Sequence, residues 1–168
     1  MAKKIDRFEF NSWFMKTDRA PRVEELYSDG PHLASYAFEV GNPDLKSEKI
    51  YGIENSIKYY GNKIDFALVG FYNYSPYYFE MTRDGNCEFP EDWQAWLGHP
   101  CAGVDWIDWG SGAAGWLYKY TAKGNEAVIQ GIEIDFGYSF NDNFKINYNY
   151  SMVRGDNKTT NMPLSYMN

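Results

Sequence analysis

The sequence lacks any run of about 18 apolar residues, so no segment of it can cross a bilayer as a helix. It is poor in positive charge. Its 16 Lys and Arg stand against 23 Asp and Glu, giving a net charge of −7, and no basic stripe runs anywhere, which excludes nucleic acid as the expected partner. The opening "MAKKIDRFEF" has no apolar centre of the kind a signal peptide needs, so the chain is expected either to stay in the cytosol or to begin away from its natural N-terminus. Cysteine is scarce: Cys87 and Cys101 lie 14 positions apart, with no zinc-finger spacing around them. Amphipathic helices of ordinary length are absent, apart from one helical turn expected at Val23 to Tyr27. No Ser-His-Asp set, phosphate loop or readable carboxylate pair appears, so neither an enzyme nor a cofactor is expected. Asp105 and Asp108 read as solvated loop charges.

What is abundant is aromatic. Tyrosine, phenylalanine and tryptophan number 15, 11 and 6 in 168 residues, a composition that favours the pleated surface of strands. In "FGYSFNDNFKINYNY", residues 136–150, two runs alternate apolar with polar residues around an "NDN" turn. Five strands are expected, at about 6–17, 48–60, 63–81, 116–140 and 144–153, the fourth with a bulge at Gly124-Asn125. Tight turns join them at 60–63, where Gly61-Asn62 tolerates positive φ, and at 141–143. Two loops of about thirty residues, at 18–47 and 82–115, form the other connections; structureless loops of that length are usually functional.

The chain is therefore read as all-β, an antiparallel meander of about five long strands in sequence order, with no parallel pair. Short turns at one end and long loops at the other are the habit of outer-membrane barrels, and about nine to eleven residues suffice to span. On this reading Ile132, Ile134, Phe136, Ile146 and Tyr148 face lipid. Glu133, Asp135, Lys145, Asn147 and Asn149 face a wet lumen, and tyrosines near strand ends form girdles. The alternative is a soluble all-β ligand-binding module with the apolar face packed inward; periodicity alone does not separate the two.

Longer motifs do. The chain carries Arg19-Ala20-Pro21, Glu25-Leu26-Tyr27, Gly30-Pro31-His32, Glu39-Val40-Gly41-Asn42-Pro43 with Leu45, and then a strand led by Glu48. Further on comes "LYKYTAKGNEAVIQGIEIDFGYSFNDNFKINYNYSMVRGDN". Together these resemble the C-terminal half of the barrel of TonB-dependent outer-membrane receptors, over most of the chain except 82–115. The resemblance implies a segment of a large transmembrane β-barrel with long extracellular loops, multi-pass in the Gram-negative outer membrane. It implies import of a scarce ligand such as a ferric siderophore or other metal complex. It also implies outer-membrane lipid and the TonB complex, reached through a plug domain, as partners. Residues 1–168 would then be a partial barrel, without the plug and most of the strands, from an incomplete gene or a truncated form. The ending "NMPLSYMN" would fall in the next extracellular loop.

Candidate site residues follow. His32, with Asp29 and Glu39 near it in sequence, is a candidate contact to a metal or metal complex, or else a loop-packing histidine. Five of the six tryptophans lie between positions 93 and 116: Trp93, Trp96, Trp106, Trp109 and Trp116. The first four are candidate ligand-stacking residues; the alternative is a loop that packs on itself to stay ordered. Cys87 and Cys101 fall in the loop that the topology places outside the cell, where an even pair is expected to be a disulfide rather than two thiols.

Overall fold

The computed structural model describes residues 2–110 and 115–164; the side chains of residues 2–4 and of Trp93 are outside it, as are residues 165–168 of the terminal "NMPLSYMN". In chain order the elements are β1 (Ala2–Ile5), β2 (Phe8–Arg19), α1 (Val23–Tyr27), β3 (Asp29–His32), a 3-10 turn (Leu33–Ser35), β4 (Ala37–Val40), β5 (Glu48–Tyr60), β6 (Ile64–Arg83), a second 3-10 turn (Trp93–Trp96), β7 (Trp106–Asp108), β8 (Trp116–Asn141), β9 (Phe144–Asn157) and β10 (Met162–Pro163). The five expected strands are β2, β5, β6, β8 and β9, and they neighbour one another in sequence order. β2–β5, β5–β6 and β8–β9 are antiparallel. So is β6–β8: the Ser139 N–H donates to the Lys63 carbonyl at 2.8 Å, and the Asp84 N–H to that of Lys119 at 2.9 Å.

The first compact unit comprises residues 1–19, 48–78 and 125–168. Directly opposed residues share a face, so register settles which side chains stand together. Ile132 opposes Met152, Ile134 opposes Tyr150, and Phe136 opposes Tyr148. On the same face, further along the sheet, Phe10 opposes Ile57, which opposes Leu68. The other face carries Glu133 against Ser151 and Asp135 against Asn149. There the Asn149 amide donates to Asp135, Lys145 donates to Asp65 at 2.8 Å, and the Asn11 amide donates to Glu9 at 2.9 Å. The apolar face is not covered: Phe14 is 78% and Tyr148 57% exposed.

Both expected turns form at one end of these strands, as the Ser139–Lys63 bond requires. The first uses its glycine differently from expectation. Neither Gly61 nor Asn62 has positive φ. Gly61 instead donates its N–H to the Ile64 carbonyl at 2.8 Å, and a Cβ there would stand 2.8 Å from that same oxygen. A close approach, not a left-handed backbone, is what needs glycine. The sequence reading also missed β1, paired with the start of β2 through a turn in which Asp6 has φ 53°. β8 continues as one strand through Gly124-Asn125; in β5–β6 the register shifts at Lys49/Tyr51, and in β8–β9 at Ser139/Asn141.

The second unit comprises residues 20–47 and 79–124. It corrects two expectations. The long connections are not structureless, and one strand pair is parallel: Ala37–Val40 of β4 runs alongside Tyr118–Thr121 of β8. The physical reason is backbone accounting. β9 pairs with β8 only from Ala127 onward, so the earlier part of this 26-residue strand must find other partners. β4 and β7 supply them. The Gly41-Asn42-Pro43 motif fastens this arrangement. The Gly41 N–H donates to Ser28 O at 2.7 Å, the Asn42 N–H to Glu25 O at 2.9 Å, and the Asn42 amide to Ala122 O at 3.2 Å.

Candidate functional site

The chemistry-bearing side chains of the 82–115 segment converge on the first residues of β8, Trp116 and Tyr118. Phe89 stacks on Tyr118 with ring centroids 4.0 Å apart. Trp106 meets Phe89 edge-on at 5.0 Å and Trp116 at 5.4 Å, with the His99 ring at 4.9 Å. Trp96 lies 5.9 Å from Trp116, and its indole N–H donates to the Pro90 carbonyl at 2.7 Å. Trp106 is 0% exposed. A loop of this length holds a shape only by burying apolar area of its own, and these rings provide it.

Polar groups lock the cluster. The Arg83 guanidinium stands over the Tyr118 ring, 3.8 Å from its centroid, and donates to the Cys87 carbonyl at 2.7 Å. The Tyr118 hydroxyl donates to Glu88 at 2.7 Å. That hydrogen bond, then the nearby Arg83 charge, holds the Glu88 carboxyl below its ordinary range; burial, then Glu88, pushes the Tyr118 phenol up. Asp84 receives Lys123 at 3.0 Å and the Thr121 hydroxyl, with Lys119 at 3.6 Å. Burial alone would raise the Asp84 carboxyl, but the Thr121 bond and the two lysines outweigh it and hold it low.

Cys87 and Cys101 are joined as a disulfide, with Cα atoms 6.3 Å apart. The buried Asp105 grips both ends of it. Its carboxylate accepts the Cys87 N–H, and its own N–H donates to the Cys101 carbonyl. Gly85, at φ +68°, makes room, because a Cβ there would overlap the Asp105 carboxylate. Sulfur and carboxylate atoms of Cys87, Cys101 and Asp105 lie within 4.8 Å of one another. With the sulfurs bonded to each other, thiolate ligands for a metal are not on offer.

The sequence-derived candidates therefore separate. Trp96 and Trp106 come together in the aromatic cluster. Trp109 stays apart and 46% exposed, with its backbone N–H on the Gly115 carbonyl at 2.7 Å. The backbone of Trp93 opens the 3-10 turn Trp93–Trp96. His32 ends β3 and pairs through Nδ1 with Glu39 at 2.7 Å, across the β3–β4 hairpin. Sequence reasoning missed Arg83, Phe89 and Tyr118, and it read Asp105 as a solvated loop charge, whereas the structure buries it against the disulfide. Only the six-residue proximity of Arg83 to Phe89, and the Asp105-Trp106 dipeptide within the tryptophan-rich stretch, pointed toward them.

Residues 16–167 match the family described as TonB dependent receptor-like, beta-barrel. Two solved structures are similar in fold. One is described as the copper transporter OprC, with TM-score 0.66 and 17% identity over 98% of this chain and 20% of that one. The other is a mutant of the ferric enterobactin receptor PfeA from Pseudomonas aeruginosa in complex with enterobactin, with TM-score 0.59 and 20% identity over 95% and 22%. The chain spans about a fifth of the length of each.

Proposed function

Since the chain belongs to the TonB-dependent receptor β-barrel family, we propose that it forms part of an outer-membrane receptor importing a scarce metal complex, a ferric siderophore being the first case to test. The observation that carries the reading is the division of the sheet. One face is apolar, rich in aromatics and uncovered; the other carries paired carboxylates, amides and lysine. A soluble domain leaves no such apolar face in water, whereas a membrane barrel turns it to lipid and keeps the polar face for its lumen. The named cargoes of the two similar proteins, copper for one and enterobactin for the other, support the ligand class.

In this reading the disulfide-braced aromatic cluster is the frame of an extracellular loop. Trp109 and His32 are the contacts to the incoming complex, and Glu39 orients the imidazole through Nδ1. Trp106 and Trp96 act through the frame, and Trp93 stands beside them in sequence. The plug and the TonB complex of the inner membrane, acting in the whole receptor, would supply the energy. The test is uptake of radiolabelled ferric siderophores by metal-starved cells carrying the full-length gene. Uptake above that of a gene deletion is expected for at least one siderophore. A receptor that fractionates to the outer membrane yet takes up no metal complex would overturn the ligand class.

A further inference from the structure

The apolar face contains a furrow of about 960 Å³. Its apolar walls include Phe10, Ile57, Leu68, Ile132 and Met152, and its floor is lowered at Gly70, where no side chain stands. A Cβ at Gly70 would meet nothing within 4 Å. Polar groups on the floor are bonded to one another: the Ser12 hydroxyl donates to the Asn55 amide oxygen at 2.7 Å. One end of the furrow is charged. Arg154 lines it, opposite Gln130, and the Arg154 side chain is 70% exposed.

Position along β9 gives this cation its meaning. Phe144, Ile146, Tyr148, Tyr150 and Met152 alternate on the apolar face, and Arg154 is the next residue on it. From Phe144 to Met152 a strand rises about 27 Å, or about 21 Å along the membrane normal at a barrel's tilt, close to a full apolar band. Arg154 thus stands at headgroup level, at the end away from the tight turns. Asp156 accepts its Nε–H, at 3.0 Å to each oxygen, and lies 3.0 Å from Nη2. Lys158, 3.7 Å from the same carboxylate, offsets that negative charge. The fork is therefore held in place while much of the guanidinium faces outward, suited to a bidentate phosphate.

We propose that this furrow is a binding site for a phosphate-bearing acyl lipid of the outer leaflet, its chain lying over Gly70 and its phosphate on Arg154. The charge match selects an anionic headgroup, and the notch selects an acyl chain over bulk packing. The inference rests on the outer-membrane reading, and the test separates the two. The full-length receptor is placed in nanodiscs of phosphatidylcholine carrying a minority of spin-labelled phosphatidylglycerol or spin-labelled phosphatidylcholine. The labelled anionic lipid is expected to be enriched at the protein about fivefold, as for about 1 kcal/mol per basic group at a membrane surface. Arg154→Gln should remove the preference, and Gly70→Leu should weaken it with Arg154 in place. Heat-modifiable migration on gels reports that each variant is folded. No preference in the wild type, or an unchanged preference in either folded variant, overturns the site. Separately, a tryptophan at position 68 (Leu68→Trp) should be quenched by brominated acyl chains. No quenching would overturn the outer-membrane reading itself, whereas quenching without headgroup preference overturns only the lipid site. Inorganic phosphate should not compete at concentrations where the lipid is retained; full competition by it would likewise overturn the site.

Discussion

The carboxylate of Asp105 accepts the backbone N–H of Cys87 at 3.0 Å. The same residue's N–H donates to Cys101 O at 2.9 Å, so one buried side chain and its own peptide hold both ends of a disulfide. The bond closes a loop of about 15 residues, worth about 3 kcal/mol in the chain-entropy account. Replacing both cysteines by serine is expected to leave the barrel folded but to expose 87–101 to proteases. Limited proteolysis of cells, followed by mass spectrometry, checks this; protection equal to wild type would refute it.

Asp105→Ala should be the more damaging change for its size, because it strips the partner from the Cys87 N–H in a buried place, at about 1–3 kcal/mol. Gly85→Ala should act on the same contact from the other side, through overlap with the carboxylate and a left-handed backbone. Hydrogen exchange across 84–106 should speed up in both variants and stay unchanged in the strands of the first unit.

The tryptophans should divide by burial. Trp106→Ala opens a cavity in the aromatic cluster and should cost the loop about 3–5 kcal/mol. Trp109→Ala should leave loop stability within about 0.5 kcal/mol and instead lower capture of the metal complex. Binding titrations alongside loop proteolysis separate the two effects; a stability loss at Trp109 with unchanged binding would contradict its assignment as a contact.

Asp84 gives a pH signature. Its carboxyl lies below its ordinary value of 3.8 in the folded protein, so its ties to Thr121, Lys123 and Lys119 contribute fully above that value. The contribution is lost as pH falls from there through the lowered folded value. Loop protection in wild type should therefore drop below pH 4 more steeply than in Asp84→Asn, which should start weaker at neutral pH because it loses the charge-assisted bonds.

Ile134→Arg tests the facing. Ile134 shares its face with Tyr150 across the β8–β9 pair. If that face meets hydrocarbon near the midplane, the substitution should cost about 2–4 kcal/mol of barrel stability. Unchanged assembly into the membrane would favour the soluble alternative.

Much of the meander was legible in the amino-acid order, because the signals for it are local. Period-two alternation over 132–152 names both faces before any partner is known, and a strand's side chains can alternate in only one way. The expected bounds of β5 coincide with Glu48–Tyr60, where charged and tyrosine residues end the apolar run. Asparagine and glycine at 61–62 and 141–143 marked the tight turns, though the need at Gly61 proved to be close approach. The disulfide was legible from compartment and pairing. What remained for the tertiary structure were contacts between residues far apart in sequence. The parallel β4–β8 pair, the stacking of Phe89 on Tyr118, and the clasp of Asp105 on Cys87 depend on where a long β8 leaves backbone groups unpaired and which loop reaches them first. So does the furrow over Gly70, which exists because five neighbouring strands bring their residues to it. A single strand's pattern specifies which way a residue points; only the register between strands decides what it meets.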